Sequence, residues 1–256
     1  MERPKTESVR ATGTSMRILT AVADRGEGVS IAELVDGLDL AKSTVYKHLI
    51  TLEEHGLVVK RDDGYRLGLR CLEFGGVARQ YDGIYEVAKP EVRKLAEETG
   101  ELANLLFEEQ GLGIYVYTAR GEQAIDFDVH LGRRVYLHTT ALGKALLSSL
   151  SDDRVDEIVD RHGLPAETDE TITTRDALFE ELDRIREEGF AYNEEERLGG
   201  LGCVGTPLDT GERRNAAISI MTPISRLTPE DRRRKYTESL DQTANVIEVN
   251  LAHGRS

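Results

Sequence analysis

Residues 30–66 read SIAELVDGLDLAKSTVYKHLITLEEHGLVVKRDDGYR, and this stretch decides the architecture of the first part of the chain. Ser30 and Glu33 have capping-box spacing, and Ile31 and Leu34 share a helical face, so a short helix is expected to open at Ser30 and close at Gly37. A further helix is expected over 41–55, with Asp39 as its cap, Gly56 as its stop, and Val45, Leu49 and Leu52 as its inner stripe. Asp62-Asp63-Gly64 between two alternating apolar runs, 57–61 and 65–69, predicts a hairpin. Upstream, Met16, Ile18, Leu19 and Val22 recur at helical spacing and predict a helix over 12–23. Helix, helix, tight turn, helix and ribbon is the order of a winged helix-turn-helix, a module that lays one helix in the DNA major groove.

That stripe leaves Lys42, Ser43, Thr44, Tyr46, Lys47 and His48 off the core on the first turns of the third helix, and no acid lies between Leu40 and Leu52. Donors, acceptors and an aromatic edge at this position suit contact with bases and phosphates. The expected DNA-binding residues are therefore Lys42, Ser43, Thr44, Tyr46 and Lys47 on the helix, with Lys60, Arg61 and Arg66 on the wing. A basic helix face can also be mere solvated surface, but the adjoining capped helix and ribbon are then unexplained. Asp62 and Asp63 are unwelcome beside phosphate, so the wing tip is expected to stay off the DNA or to meet it through cations.

The chain has 256 residues, enough for two compact domains, and 33 basic against 47 acidic residues. Residues 1–70 hold 11 of each sign, so the remaining 22 basic and 36 acidic residues carry the whole excess. The DNA-facing part is spared the acidity, as phosphate contact requires. Arg outnumbers Lys by 25 to 8, Trp is absent, and acids crowd the surface; together these point to a halophile with an acidic proteome. Residues 1–10 lack the apolar run of a secretory signal, and no segment approaches the ~20 apolar residues of a membrane span. Two cysteines, Cys71 and Cys203, are too few for a disulfide framework, and a cytoplasmic location is expected.

Beyond the ribbon, 69–81 reads as a linker helix and 87–99 as a second helix in which Pro90 is tolerable only in a first turn or at a kink. Strands are expected at 101–108, 112–119 and 123–129, then at 190–193, 202–208 and 215–221. Helices are expected at 141–150, at 152–161 after Ser151, at 175–188 after Thr174, and from Thr228-Pro229 to about His253. The class is α+β with segregated layers. The expected divisions are a winged helix-turn-helix at 8–70, a linker helix at 71–84 and an effector domain at 85–256.

Three constellations imitate catalytic sites. Residues 200–205, GLGCVG, match a dinucleotide-binding fingerprint by letter, but an acidic loop precedes them and a strand follows, where the motif needs strand before and helix after. Glycine backbone packed close to a ligand accounts for them better. Cys203 and His138 would pair as nucleophile and base only with a third, orienting group that the sequence does not name. Glu194, Glu195 and Glu196 lack metal-ligand spacing. Neither a cofactor nor a metal is called for. The competing classes are an enzyme with an appended winged helix and a protein-binding winged-helix module.

The motifs STVYKHLITLEEHGLV (43–58), DGYRLGLRCLEFG (63–75), LGRRVYLHTTALGKALLSSL (131–150), REEGFAYNEEERLGGLGCVGTPL (186–208) and AAISIMTPISRL (216–227) occur in one order along the chain. In this the chain resembles the IclR family of transcriptional regulators over nearly its whole length. It departs from the family in having Lys47 where Arg is usual and in its acidic surface. The resemblance implies a ligand-responsive repressor or activator of a catabolic pathway that binds double-stranded operator DNA. It implies a homodimer or tetramer joined through the winged helix and linker, and a GAF-like domain with a curved antiparallel sheet. It further implies a pocket for a small organic acid, aromatic or sugar-derived metabolite. The effector-binding residues expected on these grounds are Gly132, Leu137, His138, Thr139, Thr140, Ala141, Gly200, Cys203, Ser219 and Met221. Asn193 and Glu196 are expected to orient the loop over the pocket, and the N–H groups opening the helix at Ala141 to hold an anionic group.

Overall fold

The computed structural model describes residues 8–126 and 130–254, and divides the chain into two compact units that meet between Ala78 and Arg79. In the first unit, α1 (Arg10–Arg25), α2 (Ile31–Leu38) and α3 (Lys42–Glu54) precede the hairpin β1 (Val58–Arg61) and β2 (Gly64–Leu67). Ser30 caps α2 as its spacing predicts: its hydroxyl accepts from the Glu33 N–H while the Glu33 carboxylate accepts from the Ser30 N–H. Ile18, Val22, Leu34, Val45, Leu49, Leu52, Val58 and Tyr65 close over one small core.

Val29 adds an unpredicted third edge to the ribbon. It exchanges two backbone hydrogen bonds with Tyr65, of 3.0 and 2.8 Å, which ties the wing to the entrance of α2. Gly37 lies inside α2, and the stop is Asp39, whose left-handed backbone (φ 51°) makes the tight turn; it does not cap α3. Asp tolerates this conformation through local hydrogen bonding of its short side chain. Met16 is exposed because the contacting face of α1 centres on Ile18 and Val22.

After α4 (Arg70–Gln80), the second unit contains α5 (Ile84–Thr99), β3 (Leu102–Glu109), β4 (Leu112–Arg120), β5 (Arg134–Tyr136), a 3-10 turn at Leu137–Thr139 and α6 (Ala141–Ser148). It continues with α7 (Asp152–His162), α8 (Arg175–Glu188), β6 (Ala191–Glu194), β7 (Leu201–Leu208), β8 (Ala216–Pro223), α9 (Ile224–Leu227) and α10 (Glu230–His253). Its strands form one curled antiparallel sheet in the order β5-β4-β3-β8-β7-β6.

Strand alternation sorts side chains between the two faces of this sheet. Ala103, Leu105, Phe107, Ile218 and Ile220 meet α5 and α10 in one core. Leu102, Leu106, Cys203, Ala217 and Met221 meet α6, α7 and α8 in another. By the same parity Asn104 and Ser219 fall on the α6 side, where they bond each other at 3.5 Å.

Residues 123–126 are not strand, and 127–129 of that expectation lie outside the described residues; β5, at Arg134–Tyr136, takes the edge instead. Helix α5 begins at Ile84, so Pro90 sits in its interior; both Pro90 and Glu86, whose carbonyl loses its partner there, are exposed. Ser151 makes no side-chain cap on α7, and Pro229 is the cap residue of α10, not its first turn.

Candidate functional site

On α3 the burial pattern leaves Lys42, Ser43, Tyr46 and Lys47 exposed and Thr44 half-buried. Because Val45, Leu49 and Leu52 anchor the helix from beneath, its opposite side projects Ser43, Lys47 and Ile50 outward. Ile50 is an apolar addition to a face read from sequence as polar. His48 does not join that face: its Nδ1 lies 2.8 Å from the Ser15 hydroxyl, packing α3 on α1. Lys60 and Arg61 lie on β1, and Lys60 stands 6.0 Å from the Tyr65 ring centre. Arg66 is turned back onto Asp63 in an ion pair, so part of the wing's positive charge is cancelled at its own tip.

In the second unit, a small cavity with an open mouth lies on the α6 side of the sheet. Thr140, Ala141, Asn193, Cys203 and Met221, with Leu201 and Gly202 of the 200–203 stretch, all expected from sequence, line it, together with Tyr115, Arg197 and Leu198, which were not. Thr140 caps α6, its hydroxyl accepting from the Gly143 N–H at 2.9 Å. Asn193 donates from Nδ2 to the Thr139 carbonyl at 2.7 Å, which ties β6 to the turn before that helix. Arg197 donates to the Tyr115 hydroxyl at 3.1 Å, and its Nε lies 3.7 Å from Glu167. Burial pushes the Tyr115 phenol and the Cys203 thiol both up to about 12, so neither ionises at neutral pH, and the formal charge among the lining residues is the Arg197 guanidinium.

The other expected pocket residues lie elsewhere. Gly132 is an exposed turn residue, and Gly200 is a turn glycine with φ 83°. Thr139 bonds back to the Tyr136 carbonyl, and Ser219 is sealed against Asn104. Leu137 and His138 line a separate small cavity with α7; His138 Nε2 meets the Pro165 carbonyl at 3.0 Å, and burial lowers its pKa. This separation removes the His138–Cys203 pairing. Glu196 faces away from the cavity, into a polar groove with Lys144, Glu181 and Arg184.

Two glycines of the false fingerprint, Gly202 and Gly205, serve packing. A Cβ at Gly202 would come within 2.8 Å of Leu227 on α9, and one at Gly205 within 3.2 Å of the α6 backbone. They let two helices approach β7, and Gly202 also lines the cavity.

Comparison with known proteins agrees with both halves of this geometry. Residues 15–62 match the model of the IclR helix-turn-helix domain, and residues 78–249 that of the bacterial transcriptional regulator IclR C-terminal domain. The chain is 31% identical over 242 residues to the probable HTH-type transcriptional regulator ArcR of Halobacterium salinarum, covering 93% of this chain and 92% of that one. It is 28% identical to the transcriptional repressor IclR of Escherichia coli, covering 98% and 92%. Among solved structures, that of the Thermotoga maritima IclR superposes with a TM-score of 0.76 at 28% identity, covering 94% of this chain and 98% of that one.

Proposed function

Because the chain belongs to the IclR family of transcriptional regulators, and is a DNA-binding regulator and not an enzyme, we propose that its operator contact and its effector control are divided between the two surfaces described above. The outer face of α3, with Lys42, Ser43, Thr44, Tyr46 and Lys47, enters the major groove, while Lys60 and Arg61 of the wing lie along the phosphates. Arg66 acts through its Asp63 pair by shaping the wing and makes no phosphate contact.

The effector is a small organic molecule carrying an anionic or hydroxyl group toward Arg197, Thr140 and Asn193 and an apolar body toward Leu198, Leu201 and Met221. The observation that carries this reading is one largely buried guanidinium set, with the Thr140 and Asn193 side chains, among mostly apolar lining residues. A catabolic substrate or product with a carboxylate fits that chemistry. Screening carboxylic acids, aromatic acids and sugar acids for release of bound duplex, with Arg197→Met as the control, tests it. Release by a carboxylate that Arg197→Met abolishes supports the reading; release that is indifferent to Arg197→Met contradicts it.

The working protein is at least a dimer. Helix α4 buries none of its residues in its own chain, while Leu69, Leu72, Phe74 and Val77, on and just before it, are 52–82% exposed. A second copy of the same helix is the self-complementary cover, and a dimer spans two half-sites one helical turn apart. Light scattering of the full chain distinguishes dimer from tetramer, and a monomer at micromolar concentration would remove the proposal. Among the described residues no helix is long and apolar enough to cross a membrane. The acid excess suits a cytoplasm of high salt.

A further inference from the structure

Helix α6 is buried along its whole length, and in a run of apolar and small residues it carries one charge, Lys144, whose side chain is 1% exposed. Lys144 Nζ lies 2.6 Å from Glu196 Oε1 and 3.1 Å from Glu181 Oε1 on α8. An apolar side chain would fill this position at less cost, since a buried charge is repaid only by complete pairing and hydrogen bonding. Pairing here is incomplete. Glu196 Oε2 is buried with no hydrogen-bond partner among the described residues, and burial pushes that carboxyl up against the pull of Lys144. A half-satisfied buried carboxylate is costly to hold, and moving it to water recovers hydration that the buried site withholds.

Glu196 belongs to the segment between β6 and β7, and the two residues after it, Arg197 and Leu198, wall the cavity. Left-handed backbone marks both ends of this segment, at Glu195 (φ 66°) and Gly200 (φ 83°), and the Gly200 N–H donates to the Glu195 carboxylate at 2.6 Å. Thr168 supports it from behind, its hydroxyl donating to the Glu195 carbonyl at 2.9 Å. Cys203 lies on the cavity wall beyond the segment, 6% exposed.

We propose that residues 195–200 form a lid over the effector cavity and that the Lys144–Glu196 ion pair is its catch, which must part for a ligand to enter. The function of the lid rests on the reading of the cavity as the effector site. Lys144 is a positioning residue: it touches the lid from α6 and lies outside the cavity lining. Glu181, which also pairs with Lys144 but stands on α8, holds the lysine without holding the lid.

Cys203 reports on the lid without any ligand. In full-length protein carrying Cys71→Ser, the rate of iodoacetamide labelling at pH 8 measures how often the segment opens. Lys144→Met and Glu196→Gln are expected to raise that rate at least tenfold, with a rate that stays flat through low urea, as local opening requires. Glu181→Gln is expected to leave it within twofold. Unchanged labelling in both lid variants overturns the catch, as does equal acceleration by Glu181→Gln, which would make the cluster a general stabiliser. Where Lys144→Met does not fold, Glu196→Gln, which keeps the shape and one acceptor, decides alone. If labelling behaves as expected while no screened acid releases DNA, the lid stands and the effector reading falls.

Discussion

Lys47→Ala tests the DNA face most quantitatively. Lys42, Lys47, Lys60 and Arg61 are the cations of α3 and the wing that have no carboxylate within ion-pair distance among the described residues, whereas Arg66 is neutralised by Asp63. If each of the four neutralises one phosphate, a two-headed protein loses affinity with a log–log salt slope of about −7, or roughly 10⁴-fold between 50 and 200 mM. Removing Lys47 from both heads takes away two contacts, which lowers the slope to about −5.4 and the loss to roughly 10³-fold. The assay is fluorescence anisotropy on a duplex titrated with KCl; because phosphate contacts carry no sequence information, a random duplex suffices. The neutral pair Asp63→Asn with Arg66→Gln should leave the slope unchanged. An unchanged slope in Lys47→Ala, with a reduced one in the neutral pair, would refute the assignment of contacts.

Leu49→Ala, at a fully buried position on α3, should destabilise the first unit by about 2–5 kcal/mol while the second melts as before, read by urea unfolding with a probe in each unit. For His138 the folded pKa lies below its unfolded value of 6.5, so the unfolded chain takes up the proton first. Stability is then full above about pH 6.5 and falls as the pH drops below it; His138→Asn should flatten that slope, measured by melting between pH 5 and 7.5. The charge of −14 predicts a melting temperature that rises from 0.1 to 2 M KCl, since screening relieves self-repulsion; no rise would count against adaptation to salt.

The first unit was legible in the sequence almost in full, because its determinants are local. A capping box, a three-residue apolar stripe and an Asp-Gly turn each act within a few residues, and each is where the spacing puts it. Some failures there were local, as at Gly37 and Asp39, where the helix stop and cap were exchanged; others involved contacts the spacing does not give, since His48 bonds to Ser15 on another helix and the Arg66–Asp63 pair depends on how the hairpin closes. The cavity was legible only in part. Thr140, Ala141, Asn193, Cys203 and Met221 were found through resemblance, and strand parity explains why three of them share a face. Tyr115 and Arg197 were missed for different reasons. Tyr115 follows from the register of β4 on β3, which shifts at Leu105/Leu106, and Arg197 directly follows an acidic run that reads as solvated surface. Strand 123–129 was expected from β propensity alone, which cannot say which segment wins the sheet edge.

Tethered cleavage tests the division of labour most directly. With a hydroxyl-radical-generating chelate attached to Ser43→Cys, in protein carrying Cys71→Ser and Cys203→Ser, cuts on an operator selected from random sequence should cluster in the major groove of two half-sites about one helical turn apart. Cuts in the minor groove, or none above those on unselected duplex, would contradict the placement of α3 against DNA.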